Sequence, residues 1–164
     1  MADLTPFQTV GPFLSLGLGV GLDPLPEGDT LALIITGRLI DGRGEPIPDG
    51  VLEFWHPSFA ECRRALSNDA GEFRIELARP HAVDGADGRL QAPHYAVRVL
   101  ARGVLTQYVT RLYLDGQPMN ADDPILALVP ADRRATLLAV PVSDREYRFD
   151  VVLQGANETV FFDV

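Results

Sequence analysis

The side chains in this chain that could hold a metal ion or pass a proton are few. There are three histidines (His56, His81, His94), one cysteine (Cys62) and four tyrosines (Tyr95, Tyr108, Tyr113, Tyr147). A His-x-His pair on a strand, a His-Glu-x-x-His on a helix or a Cys-x-x-Cys would bring ligands to one face, and none of these patterns occurs. Histidines scattered in this way are structural or surface residues more often than ligands. No Gly-x-Ser-x-Gly elbow or Walker loop is present, and nothing in the pattern points to a Ser–His–Asp triad. One stretch invites a chemical reading, His94-Tyr95-Ala96-Val97-Arg98-Val99-Leu100-Ala101-Arg102. Side chains alternate along a strand, so without a bulge His94, Ala96, Arg98, Leu100 and Arg102 share one face, opposite Val97 and Val99. Two arginines on that face read either as its solvent side or as an anion site, since guanidinium pairs with carboxylates in bidentate geometry.

Strands are the elements that must position these residues. The 15 glycines and 13 prolines are spread along the whole chain, a density that breaks helices and favours short strands between turns. Strands are predicted over Leu31 to Ile40, Val51 to Trp55, Glu72 to Leu77, Tyr95 to Ala101, Gln107 to Leu114, Tyr147 to Leu153 and Thr159 to Phe162. Turn signals lie between them, among them Asp41-Gly42, Ile47-Pro48-Asp49-Gly50 and Asp115-Gly116. Seven or eight short strands of this kind predict an all-β sandwich with little helix. The one helix candidate is Ala131 to Leu138, after Pro130. Residues 5–22 are apolar and glycine-rich without a clean period. They predict an arm, neither strand nor helix, that must lie against something else. With no repeat or linker, residues 1–164 read as a single domain, with 1–30 as its arm.

Bulk properties narrow the function classes. Hydrophobic residues make up 46% of the 164, enough for a sizeable core. The net charge of −9 argues against nucleic acid and anionic membranes as partners, because both select a basic surface. All 14 basic residues are arginine. A lone cysteine permits no internal disulfide and fits a reducing compartment. The N-terminus lacks a basic segment followed by an apolar one, and no apolar run approaches the ~20 residues that span a bilayer. The expectation is a cytoplasmic protein.

A family resemblance adds to this reading. Thr5-Pro6-Phe7-Gln8-Thr9-Val10-Gly11-Pro12-Phe13 resembles the N-terminal signature of the intradiol ring-cleaving dioxygenases. Further blocks are similar, in the same order: Gly37-Arg38-Leu39-Ile40-Asp41-Gly42 with Pro46 and Val51-Leu52-Glu53-Phe54-Trp55; then Asp69-Ala70-Gly71-Glu72-Phe73. They continue through Ala92-Pro93-His94, Ala101-Arg102-Gly103 and Thr110-Arg111-Leu112-Tyr113 to the tail from Tyr147-Arg148-Phe149-Asp150 to Val160-Phe161-Phe162-Asp163. Each block alone is weak; their order over nearly the whole chain is the signal.

The resemblance implies a β-sandwich and an Fe(III) held by two tyrosinates and two histidines. That iron acts as Lewis acid and template for a catechol. It also implies that this chain does not bind the metal itself. The first histidine position matches His94, but the second is Ala96. No tyrosine follows Trp55, where Cys62 is the nearest equivalent, and the second tyrosine position falls in Arg79-Pro80-His81-Ala82. A new site from Cys62, His81 and His94 would need three unrelated residues to converge. What the resemblance implies is the non-iron-binding α-type subunit of a two-chain member, assembled with an iron-holding β subunit into a higher hetero-oligomer. That enzyme would cleave protocatechuate or a related catechol anion at an interface site. By position, Thr9, Gly11, Pro12 and Arg102 are then lent to the partner's site, with Arg102 toward the substrate carboxylate. His94 is a degenerate ligand position, expected to be a satisfied buried histidine, and Arg111 and Tyr113 are expected as interface or core pairs. The alternative is an inactive homologue that serves as a binding or scaffold protein.

Overall fold

The computed structural model describes residues 6, 8–11, 13–18, 32–57 and 62–163. Eleven strands dominate it: β1 (Ala32–Ile40), β2 (Val51–Trp55), β3 (Cys62–Leu66), β4 (Glu72–Ala78), β5 (Val83–Asp84), β6 (Leu90–Gln91), β7 (His94–Leu100), β8 (Tyr108–Leu114), β9 (Leu138–Pro141), β10 (Glu146–Arg148) and β11 (Val151–Val152). One short helix, α1 (Leu14–Leu18), and three 3-10 turns complete the described elements. The architecture is all-β, as the strand count and turn spacing predict.

Strands β3, β2, β7 and β8 form an antiparallel sheet. The path then runs through β9, parallel to β8, and β10 to β1, which also pairs with β4. The result is a sheet folded over on itself, nearly closed. Alternation decides which side chains enter the core. Leu33, Ile35 and Leu39 of β1 face Phe73, Ile75 and Leu77 of β4, together with Leu52, Phe54, Tyr95, Val97, Val99, Leu112 and Leu114 from the other layer. These are among the buried residues of one apolar cluster, and burial of this kind is the dominant favourable term for such a sheet.

Four segments depart from the sequence reading. The arm is not free of helix, since Leu14–Leu18 makes one α-helical turn whose first amide, of Leu14, donates to the Gly11 carbonyl at 3.2 Å. Leu31 lies outside the described residues. The predicted strand Tyr147 to Leu153 is split into β10 and β11, because the Arg38 amide that would continue the ladder donates to Asp150 Oδ1 at 2.9 Å. The tail from Thr159 to Phe162 is extended but not a strand. It holds on to β8 through the Phe162 amide and the Val109 carbonyl at 2.8 Å, and through the Thr110 hydroxyl donating to the Val160 carbonyl at 2.7 Å. The predicted helix at Ala131 to Leu138 shrinks to a 3-10 turn, Arg134–Leu137, because Leu138 pairs with Tyr113 and starts β9. Strands β3 and β9 are additions that hydrophobic pattern did not reveal: Cys-Arg-Arg-Ala-Leu and Leu-Ala-Val-Pro are too short for a clear period.

No helix among the described residues is long and apolar enough to cross a membrane.

Candidate functional site

The Thr9, Gly11 and Arg102 positions converge on one end of the folded sheet. Strand β7 stops at Leu100, and the chain turns through Ala101-Arg102-Gly103, with Gly103 at φ 84°. Positive φ costs glycine little, which is why the turn can form there. The Gly103 amide donates to Thr9 Oγ1 at 2.8 Å and ties the arm to this turn. Next to the tie, Val10 reaches a depression of about 230 Å³ that also involves Leu100, Val104 and Leu105. Gly11 is exposed, and an added Cβ there would meet nothing within 4 Å. Neither crowding nor positive φ requires glycine at that position in the free chain. Pro12 lies outside the described residues.

Arg102 itself sits past the end of the strand, so it does not continue the face of Ala96, Arg98 and Leu100. This corrects the simple alternation that placed it there: the turn ends the period of two. Its side chain is 52% exposed, and Nη2 lies 3.8 Å from Asp49 Oδ2. An exposed pair at that distance contributes little to stability, so the guanidinium can exchange Asp49 for another anion. Asp49 was not among the sequence candidates. It is the one non-glycine with positive φ among the described residues, at 57°. The Pro48-Asp49-Gly50 turn was visible in the sequence, but its position opposite Arg102 depends on how β2 and β7 pair.

The positions expected to be degenerate ligands lie elsewhere. His94 is 3% exposed. Its Nδ1 lies 2.7 Å from the Ala92 carbonyl, which can only accept, so Nδ1 carries the proton. Its ring packs on Tyr113 at 5.3 Å between centroids. Burial first, and the Arg111 charge second, hold its pKa down at about 4, so the ring is neutral at pH 7. Around it runs a polar network. Arg111 donates to Gln91 Oε1 at 2.8 Å and to the Tyr113 hydroxyl at 3.1 Å, and that hydroxyl donates to Asp123 Oδ1 at 3.1 Å. Asp123 also accepts the amides of Ala92 and Leu126, each at 2.8 Å. These bonds satisfy a buried carboxylate that would otherwise be costly.

Two residues on from His94, Ala96 offers only a methyl group. It pairs in register with Trp55, which pairs in turn with Cys62. Desolvation at the Cys62 sulfur, followed by the Glu53 carboxylate, raises the thiol pKa. His81 is exposed, and its carbonyl accepts from Nε2 of buried His56 at 3.0 Å. Tyr95 donates its hydroxyl to the Ala78 carbonyl. Burial raises the pKa of both Tyr95 and Tyr113, so neither is poised as a tyrosinate. No group of three or more His, Cys, Asp or Glu converges among the described residues. A donor set of one imidazole nitrogen, a methyl and a protonated thiol does not fit a four-ligand Fe(III) centre.

No family model matches the chain. The protocatechuate 3,4-dioxygenase alpha chain of Burkholderia cepacia is 37% identical over 195 aligned positions, covering 98% of this chain and 97% of that protein. The alpha chain of the same enzyme from Pseudomonas putida is 34% identical, covering 97% and 96%. The Burkholderia cepacia beta chain is also similar, at 24% identity over 84% of this chain and 68% of its own length. Among solved structures, the dioxygenase domain of a dioxygenase–carbohydrate-binding protein fusion from Streptomyces sp. SirexAA-E superposes with a TM-score of 0.63 at 23% identity, covering 94% of this chain and 100% of that one. That likeness shows the fold.

Proposed function

The chain belongs to the protocatechuate 3,4-dioxygenase alpha chains, and from that premise we propose that it completes an active site whose iron is held by a β subunit. The observation that carries this reading is the tether between Thr9 and Gly103. It brings the arm, with Gly11 exposed, beside a turn that presents a largely exposed Arg102. The arm, residues 1–30, then packs on the partner, and Thr9, Gly11, Pro12 and Arg102 line the shared site. Fe(III) in the β subunit supplies the Lewis acidity that binds the catechol and makes its ring susceptible to O2.

This chain contributes position and charge. Arg102 holds the substrate carboxylate and so fixes which edge of the ring faces the metal. Cleavage between the two hydroxyl-bearing carbons, with both atoms of O2 retained, converts protocatechuate to 3-carboxy-cis,cis-muconate. The carboxylate that Arg102 would hold is common to substrate and product, so the guanidinium acts on position throughout. Asp49 competes for Arg102 in the free chain and is displaced as the pocket forms. Gly11 and Pro12 supply a turn that a ligand can approach closely.

The test is co-expression with a β-type chain that carries both tyrosines and the His-x-His pair. Arg102→Ala in that complex lowers kcat/KM for protocatechuate by roughly tenfold or more, with iron content unchanged and partial recovery in Arg102→Lys. Kinetics indistinguishable from wild type would remove Arg102 from the site. Stoichiometric iron in the isolated chain would overturn the assignment of the metal to the partner, and failure of the two chains to associate would favour the scaffold alternative.

A further inference from the structure

The outer face of the other layer, made by β4, β1, β10 and β9, carries its charges in rows. In one row Glu76, Ile34 and Glu146 sit side by side, and the amide of Val142, just past β9, donates to the Glu146 carbonyl at 2.8 Å. In the next row, two residues along each strand, Arg74, Thr36, Arg148 and Val140 stand abreast. Residues two apart in a strand share a face. Both rows therefore point outward, because Ile75, Ile35 and Tyr147 between them are buried.

The rows are opposite in sign and alike in layout. One sets carboxylates on β4 and β10, and the other sets guanidinium groups on the same two strands. The outer column is a valine in each row, with Val140 55% and Val142 61% exposed. A depression of about 500 Å³ opens beside Thr36, with Arg74 and Arg148 in its wall.

Such a face is complementary to itself. A twofold axis in the plane of the face, running across the strands midway between the rows, reverses strand direction and lays each strand over its own copy. Glu76 then meets Arg74 of the second copy, and Glu146 meets Arg148, each pair occurring twice. Ile34 falls on the depression at Thr36, and Val142 falls on Val140. An axis along the strands would instead set Arg74 on Arg148 and Glu76 on Glu146, like charge on like.

Within one chain these charges are held only by exposed pairs, Arg74 to Glu76 at 3.3 Å and Arg148 to Asp150 at 3.0 Å. Exposed pairs contribute little to stability, and a guanidinium keeps donors for a second carboxylate. Covering Ile34 and the valines supplies the favourable area, while the alternating charges select the register.

We propose that this face is an interface between two copies of this chain, related by the axis across the strands. The contact does not depend on an iron-bearing partner, since neither Thr9 nor Arg102 lies on these strands.

Sedimentation of the full chain tests it, at a salt concentration of about 0.15 M, where a Debye length of ~8 Å screens the repulsion between two chains that each carry a net charge of −9. The average mass is expected to rise toward that of a dimer between about 5 and 300 μM. Arg74→Glu and Glu76→Arg each set like charges across the axis, and each is expected to weaken association about tenfold or more. The double variant Arg74→Glu, Glu76→Arg restores opposite signs, and its association returns to within about threefold of wild type. The single reversals move the net charge in opposite directions, so a general charge effect would not weaken both. Arg74 is exposed and Glu76 half-buried, so melting temperatures near wild type accompany all three variants. The mass of a single chain throughout, association that survives either single reversal, or a double variant that remains monomeric would each overturn the proposal.

Discussion

His94 illustrates how a buried histidine is held by its neighbours. Its ring is buried between the Ala92 carbonyl and Tyr113, and protonation there is opposed by desolvation and then by Arg111. The folded state keeps it neutral down to about pH 4, whereas the unfolded chain takes up a proton below about 6.5. Stability from this group is therefore complete above about pH 6.5 and is lost as the pH falls toward 4, with a span on the order of 3 kcal/mol. His56 has a pKa shifted in the same direction by its burial and adds to the slope. His94→Gln removes the titration while retaining a donor for Ala92, so its urea midpoint should change between about pH 5 and pH 7 by less than half as much as the wild type's. An undiminished slope would assign the acid sensitivity to other groups. At the same scale the chemistry of Arg102 is read from what it lacks: a loose 3.8 Å contact to Asp49 leaves its charge available.

Strand β1 is the element on which the sandwich closes, since it pairs with β4 on one edge and with β10 and β11 on the other. Gly37 lies at its middle, where the Phe149 amide donates to the Thr36 carbonyl at 2.8 Å and the chain changes from β10 to β11. A Cβ at Gly37 would meet the Phe149 carbonyl group, with its carbon at 2.7 Å, and Phe73 Cζ at 2.8 Å. Backbone cannot yield there without losing the Thr36–Phe149 rung. In an open strand alanine is favoured over glycine by a fraction of a kcal/mol, whereas overpacking against backbone costs about 1–3 kcal/mol. The clash wins, and Gly37→Ala is expected to lower unfolding free energy by roughly 2 kcal/mol or more, measured by urea or thermal melting. A stabilised variant would mean that β1 and the 149–150 segment are not so closely opposed.

At the scale of the whole molecule, the apolar residues left outside are informative. Phe13 and Leu16 on and beside α1 are 73% and 69% exposed, and Leu105 in the loop after the Arg102 turn is 60% exposed. Large side chains held at that exposure contribute little to the free chain and are available to an association that buries them. The double variant Phe13→Ser, Leu16→Ser should leave the melting temperature of the free chain near wild type and weaken association with a β-type chain by about tenfold or more, seen by analytical ultracentrifugation. Unchanged association would place the contact on another face.

Residue order alone carried much of this protein. Alternating apolar residues and turn dipeptides were enough for an all-β fold, because a strand's period of two and the backbone demands of a turn are local. That Ala96 offers no donor to a metal was equally plain, since a methyl group coordinates none in any fold. The arm tether and the Asp49–Arg102 contact were not legible. They join residues 94 and 53 positions apart, and only strand register places such residues at one end of a sheet. The same holds for the end of β7, where a turn closed by Gly103 took Arg102 off the face that alternation assigned to it. Local pattern states which way a side chain points within its element; where the element stops, and what it faces, is settled by long-range pairing.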